Sequence, residues 1–287
     1  MNRLSRILIE LALEEDLREA GDLTSRHFVD PCHRSLARIV SRESAVISGQ
    51  EVGRWVAASV SPELIYTAIV SDGDRVEKGD AVAEISGPTH LILTAERTIL
   101  NFMQRLSGIA TVAAEYQARI AHTSAVLLDT RKTTPGMREL EKEAVAHGGA
   151  TNHRMGLFDA VMVKDNHLAA NSSPVDLGAA VKELKSRDSD LKIEVEADLL
   201  EQVEVFLTLP GIDVILLDNM TNEELREAVR MRDESGLPGE HMKLEASGGV
   251  NRSTIREIAE TGVDYISVGA LTHSVRSIDL GLDLVEE

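Results

Sequence analysis

Apolar residues at the start of the chain recur at helical spacing. Leu4, Ile7, Leu8, Leu11 and Ala12 share one face, which predicts an amphipathic packing helix within residues 1–20. The GDLTS segment that follows (Gly21–Ser25) sets Asp22 and Thr24 at a turn or helix cap. Leu36–Ile47 reads as a strand interrupted by Ser41-Arg42-Glu43, with Arg42 most simply a solvated residue beside a hairpin. Ser71–Pro88 has the glycine–apolar–glycine rhythm of a lipoyl- or biotinyl-like hairpin but no Met-Lys tip, so it reads as structural. Thr94–His122 predicts a long helix. Its apolar set (Ile99, Leu100, Phe102, Met103, Leu106, Ile109) covers most of the circumference, and Arg97, Asn101, Gln104, Arg105 and Gly108 form one polar strip. On a helix buried elsewhere, such a strip lines a site or faces solvent. Arg97, near the helix start, fits the site, whereas Arg105 fits a structural ion pair equally well.

From Ala125 the pattern changes to short apolar runs, each followed by a polar end and a helical stretch. The runs are Ala125–Leu128, Ala160–Val163, Leu191–Val195, Val214–Leu217, Met242–Leu244 and Tyr265–Val268, with helices such as Asn222–Asp233 and Ser253–Glu260 between them. Alternating βα units imply a parallel sheet. Without a dinucleotide glycine fingerprint they point to an incomplete barrel. The tail alternates Ile278, Leu280, Leu282 and Leu284, a strand with one buried face. The fold class is therefore α/β, an incomplete (β/α) barrel with an N-terminal α/β sandwich domain. The expected boundaries are residues 1–112, joined by the C-terminal strand 275–287, and a catalytic domain of 113–274.

The length of 287 residues suits this two-domain arrangement. No apolar run spans a bilayer, and the acidic N-terminus does not suit a signal peptide, so the expectation is a cytoplasmic protein with no membrane partner. A single cysteine, Cys32, excludes an internal disulfide framework. The formal charge of −18 lies wholly outside Asp129–His167, where six Lys/Arg match six Asp/Glu. Cations gathered within an acidic body predict a small polyanionic ligand and no nucleic-acid partner.

The C-terminal ends of barrel strands carry function. Here those ends bear Asp129/Arg131/Lys132, Lys164, Glu196, Asp218, Ser247-Gly248-Gly249 and Gly269. Arg131, His153 and Arg154 suit carboxylate clamping, the guanidinium offering a planar fork. Lys132 and Lys164 are point charges suited to phosphate. Glu194 and Glu196 share one strand face, directed inward, where they pair with Lys192 or Lys164; otherwise Glu196, nearer the strand end, serves ribose hydroxyls or a magnesium-bound ligand. Asp218 has the same options, and oxygen donors beside phosphates suit Mg²⁺. Ser247-Gly248-Gly249 before a helix, with Gly269 ending the next strand, predicts a phosphate cradle. His273 either adds a donor there or lies at the surface.

The stretch DTRKTTPGMRELEKEAVAHGGATNHRMGLFDAVMVKDNH (Asp129–His167) closely resembles quinolinate phosphoribosyltransferases (nicotinate-nucleotide pyrophosphorylases). So do GDLTS, ERTILNFMQRLSGIAT (Glu96–Thr111), IEVEA (Ile193–Ala197), ILLDNM (Ile215–Met220) and SGGV…DYISVGALTHS (Ser247–Ser274). The resemblance implies phosphoribosyl transfer from phosphoribosyl pyrophosphate to quinolinate with decarboxylation, giving nicotinate mononucleotide, pyrophosphate and CO2. It implies quinolinate contacts from Arg97, Arg131, His153, Arg154 and Lys164. Lys132, Glu196 and Asp218 would serve phosphoribosyl pyrophosphate; Ser247, Gly248, Gly249 and Gly269 would hold the 5′-phosphate. Lys132, Lys164, Glu196 and Asp218 are then the catalytic candidates. Mg²⁺ arrives with the substrate, possible contacts being Glu196 and Asp218. The resemblance also implies a homodimer, with a hexamer as a further assembly, in which Arg42 reaches the neighbouring subunit's site. The alternatives are a paralogous pyrophosphorylase of molybdenum-transport loci, a Schiff-base aldolase using Lys132 or Lys164, and a non-catalytic binding protein built around the hairpin.

Overall fold

A computed structural model of the chain describes residues 1–169, 176–236 and 242–285. The chain begins with α1 (Arg3–Leu17), α2 (Leu23–Phe28), β1 (Arg34–Ser41), β2 (Ala45–Val46) and α3 (Gln50–Val60). There follow β3 (Ile65–Ala68), β4 (Arg75–Val76), β5 (Ala81–Pro88) and α4 (Thr89–Ile120). The middle holds β6 (Val126–Leu128), α5 (Arg138–His147), β7 (Val161–Val163), α6 (Asp165–Ala169), α7 (Leu177–Arg187) and β8 (Ile193–Ala197). The remainder is α8 (Leu200–Leu207), β9 (Val214–Asp218), α9 (Asn222–Glu234), β10 (Lys243–Ser247), α10 (Ile255–Ala259), β11 (Tyr265–Ser267), α11 (Ala270–His273) and β12 (Leu280–Leu284).

Two compact units emerge. The first comprises Met1–Glu115, Thr133–Gly149 and Leu271–Glu287, and the second Tyr116–Lys132 and Ala150–Ala270. In the first, β12-β1-β5-β3 form an antiparallel sheet. The C-terminal strand thus returns to β1, with Ala37 opposite Leu284 and Ser41 opposite Leu280. Asn2 caps α1 and Asp22 caps α2, each side chain accepting the amide of Ser5 (3.0 Å) or Ser25 (2.9 Å). The face of α1 that packs is Ser5, Ile9 and Leu13, not the expected one: Leu4, Ile7 and Leu11 are exposed. Helical spacing identifies an apolar stripe, but it does not say which apolar stripe finds a partner within one chain.

The apolar set on α4 is buried as its pattern requires. The polar strip divides. Arg97 and Asn101 are exposed, while Gln104, Arg105 and Gly108 form the seam against the C-terminal segment. Gln104 Nε2 donates to Leu280 O (2.8 Å), and Ile278 N donates to Gln104 O (3.0 Å). A Cβ at Gly108 would come within 2.2 Å of Arg276 O, so only glycine admits that approach.

In the second unit the described residues form a six-stranded parallel sheet, ordered β6-β11-β10-β9-β8-β7. β6 and β7 stand at its edges, so the barrel is not closed. Along β8, Ile193, Val195 and Ala197 are fully buried, while Glu194 and Glu196 project from the opposite face. Three strands run further than their apolar runs indicate, β8 to Ala197, β9 to Asp218 and β10 to Ser247. The apolar run records the helix-packed face; Glu196, Asp218 and Ser247, at or next to the strand ends, remain in the hydrogen-bonded ladder.

Candidate active site

The C-terminal ends of the parallel strands in the second unit surround a cavity of about 580 Å³. Its lining includes Arg131, Lys132, His153, Arg154, Lys164, Glu196, Asp218, Ser247, Gly248 and Gly249. Residues more than a hundred positions apart meet because parallel strands align their C-terminal ends. Gly269 follows β11, two residues beyond the cavity-lining Ser267. Arg42 and Arg97 belong to the first unit: Arg42 pairs with Asp283 at 2.6 Å, and Arg97 is exposed with Glu96 at 3.6 Å. His273 lies at the surface of that unit beside Ser274, and Arg105 is structural, donating to Glu141, Thr272 O and Val275 O. A cavity of similar volume in the first unit is lined by charges of both signs, Glu14, Arg18, Asp22 and Arg26, and gathers no comparable set of cations.

Two guanidinium groups dominate the electrostatics. The Nε of Arg131 is buried with no hydrogen-bond partner. Arg154 donates to Ala160 O at 3.1 Å and touches Met162 Sδ at 3.4 Å. Burial lowers the Arg154 pKa, and the like charge of Arg131 adds to the effect. Two cations held close against their mutual repulsion, one with an unsatisfied buried donor, favour a ligand with a planar anionic group. Lys164 forms an ion pair with Glu196. That setting is not the apolar pocket a Schiff-base lysine requires.

Ser247 ends β10, and the chain then turns through Gly248 (φ +89°) and Gly249 (φ +62°). A Cβ on Gly248 would lie 2.2 Å from Asn219 Oδ1 and 2.9 Å from Asn219 N. The turn therefore presses against the end of β9, where Asn219 itself has φ +55° and donates its side-chain amide to Asp218 at 2.7 Å. The helix expected from Arg252 or Ser253 begins later, at Ile255. An Asn251 turn intervenes, its Oδ1 accepting from Ser253 N (2.9 Å) and Thr254 N (3.3 Å), before α10 begins at Ile255. Asx-type capping satisfies those amides locally.

Sequence reasoning missed Glu245 altogether and gave Glu194 only an ion pair with Lys192 or Lys164, where the structure sets it beside His153. Both are buried, and His153 Nε2 lies between them, 3.1 Å from Glu194 and 3.4 Å from Glu245. Asp129, fully buried, accepts the His153 amide at 2.8 Å. Burial alone disfavours a charged His153, but the hydrogen bonds and charges of the two glutamates outweigh it and carry its pKa up to about 10. Burial pushes the Glu194 carboxyl upward; His153 opposes this and the Glu245 charge reinforces it. The His153 and Glu194 shifts belong to the coupled pair rather than to either residue alone. The period-two alternation in KLEAS places Glu245 on the face of Lys243 and Ser247, and ending β10 at Leu244 concealed it.

Comparisons with known proteins agree with this arrangement. Residues 22–107 match the family model for the quinolinate phosphoribosyl transferase N-terminal domain, and residues 109–283 match that for its C-terminal domain. The chain belongs to the quinolinate phosphoribosyltransferase family. A nicotinate-nucleotide pyrophosphorylase [carboxylating] of Mycobacterium leprae is 41% identical over 282 residues, covering 98% of this chain and 97% of that one. Quinolinate phosphoribosyltransferase [decarboxylating] 1 of Nicotiana glauca is 39% identical, covering 98% and 82%. The solved nicotinate-nucleotide pyrophosphorylase of Francisella tularensis superposes with a TM-score of 0.90 at 36% identity, covering 99% and 97%. The open parallel sheet and separate antiparallel sheet are those of this family.

Proposed function

We propose that this chain transfers the phosphoribosyl group of phosphoribosyl pyrophosphate to quinolinate and releases pyrophosphate and CO2, forming nicotinate mononucleotide. The observation that carries the assignment is the Arg131–Arg154 pair in a cavity that also offers two lysines and a double-glycine turn. The two guanidiniums hold the carboxylates of quinolinate. Lys132 and Lys164 face the phosphates, Lys164 leaving Glu196 to do so. Glu196 and Asp218 accept from the ribose hydroxyls, and the amides around Gly248-Gly249 receive the 5′-phosphate, with Gly269 beyond them.

The C1–pyrophosphate bond of the ribose breaks with its electron pair leaving on oxygen, and the pyridine nitrogen donates its pair to C1. The resulting pyridinium accepts the electrons left at C2 when CO2 departs, and a proton then joins C2. No protein nucleophile is needed; positioning and fixed charge lower the barrier. The carboxylates of Glu196, Asp198 and Asp218 give hard oxygen donors, so the lining fits a Mg²⁺-bearing substrate. When bound, Mg²⁺ neutralises charge on the departing pyrophosphate.

A cytoplasmic homodimer completes the reading, with Arg42 and Arg97 contributing to a site completed by the partner chain. The exposed apolar side chains of Leu4, Leu11, Leu23 and Phe28 support an interface there.

Incubation with quinolinate, phosphoribosyl pyrophosphate and Mg²⁺ tests the reaction, with product read by mass and nicotinate run alongside. Nicotinate mononucleotide from quinolinate alone, with kcat/KM lowered at least about a hundredfold in Arg131→Ala and Arg154→Ala, is the expected result. Product from nicotinate alone would reassign the acceptor. No product from either would favour the molybdenum-locus paralogue.

A further inference from the structure

Asn219 directly follows Asp218 and has a left-handed backbone, φ +55°. Among the described residues, Arg18 at the end of α1 is the other non-glycine residue in that region. Only Asn219 and Met220 lie between the end of β9 and Thr221, which caps α9. So short a reversal explains the backbone. It does not explain the residue, because glycine takes that conformation freely whereas a side chain disfavours it. The reason for asparagine lies in its side chain.

The two ends of that side chain meet different parts of the cavity lining. Nδ2 of Asn219 donates to Asp218 Oδ2 at 2.7 Å. A carboxylate only accepts, so the nitrogen end must face it. Asp218 is thereby fixed through one oxygen, and its Oδ1 has no protein partner among the described residues. The amide oxygen of Asn219 lies against Gly248, where any Cβ would overlap it. The backbone amide of Asn219 donates to Ser247 O at 2.9 Å, one bond beyond the paired Asp218 and Ser247. Asn219, Asp218, Ser247, Gly248 and Gly249 all line the cavity. A carboxamide suits this place because it donates to a carboxylate without adding charge. An aspartate would set a second carboxylate against the first.

We propose that Asn219 is a positioning residue for the phosphoribosyl donor. It holds Asp218 through Oδ2, leaving Oδ1 for a ribose hydroxyl, and it braces the Gly248 turn that receives the 5′-phosphate. One planar amide thus fixes the spacing between the ribose and phosphate contacts. The identity of the donor rests on the transfer reading above; the contacts of Asn219 do not.

Asn219→Gly and Asn219→Asp in the full chain test this. Asn219→Gly should keep the wild-type denaturant midpoint, relief of the left-handed backbone offsetting the looser unfolded chain. Its KM for phosphoribosyl pyrophosphate should rise about tenfold or more, with KM for quinolinate within about twofold of wild type. Asn219→Asp, which keeps the shape but loses the donor, should raise the same KM at least as far. An unchanged KM for phosphoribosyl pyrophosphate in Asn219→Gly would overturn the proposal. So would a rise in both KM values with a lowered midpoint, since a turn that only supports the fold would fail in that way. If wild-type protein converts no quinolinate, the transfer reading fails, and calorimetric titration with ribose 5-phosphate decides the role of Asn219. Binding by wild type that weakens in both variants keeps it; equal binding, or none by wild type, overturns it.

Discussion

Gly248 and Gly249 both turn with positive φ after β10, yet a side chain meets different surroundings at each. At Gly249 nothing lies within 4 Å of a Cβ, so Gly249→Ala should cost only the left-handed backbone penalty, about 1 kcal/mol. At Gly248 the same Cβ meets the Asn219 side chain and backbone amide. Gly248→Ala should therefore lose about 2 kcal/mol or more and raise KM for phosphoribosyl pyrophosphate, because the turn must withdraw from the end of β9. Denaturant melts of the two variants check this; equal losses would show that the clash is relieved by a simple Asn219 rotation. The double glycine was legible in the sequence as a tight turn. Its pressure against Asn219 was not, since Gly248 and Asn219 meet only because β9 and β10 are paired in register from Val214–Lys243 to Asp218–Ser247.

Among the elements, α4 and α5 hold the C-terminal segment of the first unit through a buried polar knot. Glu141 is fully buried and accepts from Arg105 (2.8 Å), Thr134 N (3.0 Å) and Thr134 Oγ1 (2.8 Å), while Arg105 also donates to Thr272 O (2.6 Å) and Val275 O (3.0 Å). Arg105→Met would strand a buried carboxylate and two carbonyls. The expected loss is about 3–5 kcal/mol, seen as a lower midpoint in denaturant, whereas an exposed arginine such as Arg97 should lose less than about 1 kcal/mol.

A second tie is the fork from Arg276 to Glu43, whose Oε1 also accepts the Asp279 amide at 3.0 Å. Arg276 first, then the Asp279 amide, hold the Glu43 pKa at about 2, below its ordinary 4.5. A depressed carboxylate stabilises the fold above pH 4.5, and that contribution disappears as pH falls toward 2. The stability difference between wild type and Arg276→Ala, about 1 kcal/mol near neutrality for so exposed a pair, should therefore persist to pH 4.5 and vanish by pH 2 in thermal melts. A difference unchanged by pH would mean the fork contributes packing alone.

For the whole molecule, the charge of −18 and the exposed apolar residues of α1 and α2 act in opposite directions. Apolar surface drives association, while like charge resists it and is screened by salt over about 8–10 Å at physiological ionic strength. If Leu11 and Phe28 lie in a subunit interface, Leu11→Glu with Phe28→Ser should yield monomers in sedimentation. The wild-type dimer should also strengthen between low and physiological salt. A wild-type chain that sediments as a monomer at all salt concentrations would sink the interface, and with it the role proposed for Arg42.

Local pattern was enough to establish the alternation of strands and helices, the buried faces of α4, the return of the tail as a strand and the cluster of cations at strand ends. Each depends on spacing along the chain, and side-chain direction follows from backbone period. Register and partner choice were decided only in three dimensions. Whether Leu4 or Ile9 packs depends on what lies beside α1, and whether Arg97 or Arg105 is hydrogen-bonded across the seam depends on where the C-terminal segment crosses α4. The pairing of Glu194 with Glu245 around His153 likewise required two strands aligned across a third. Such contacts join residues about forty positions apart or more, and no period within a single element encodes them.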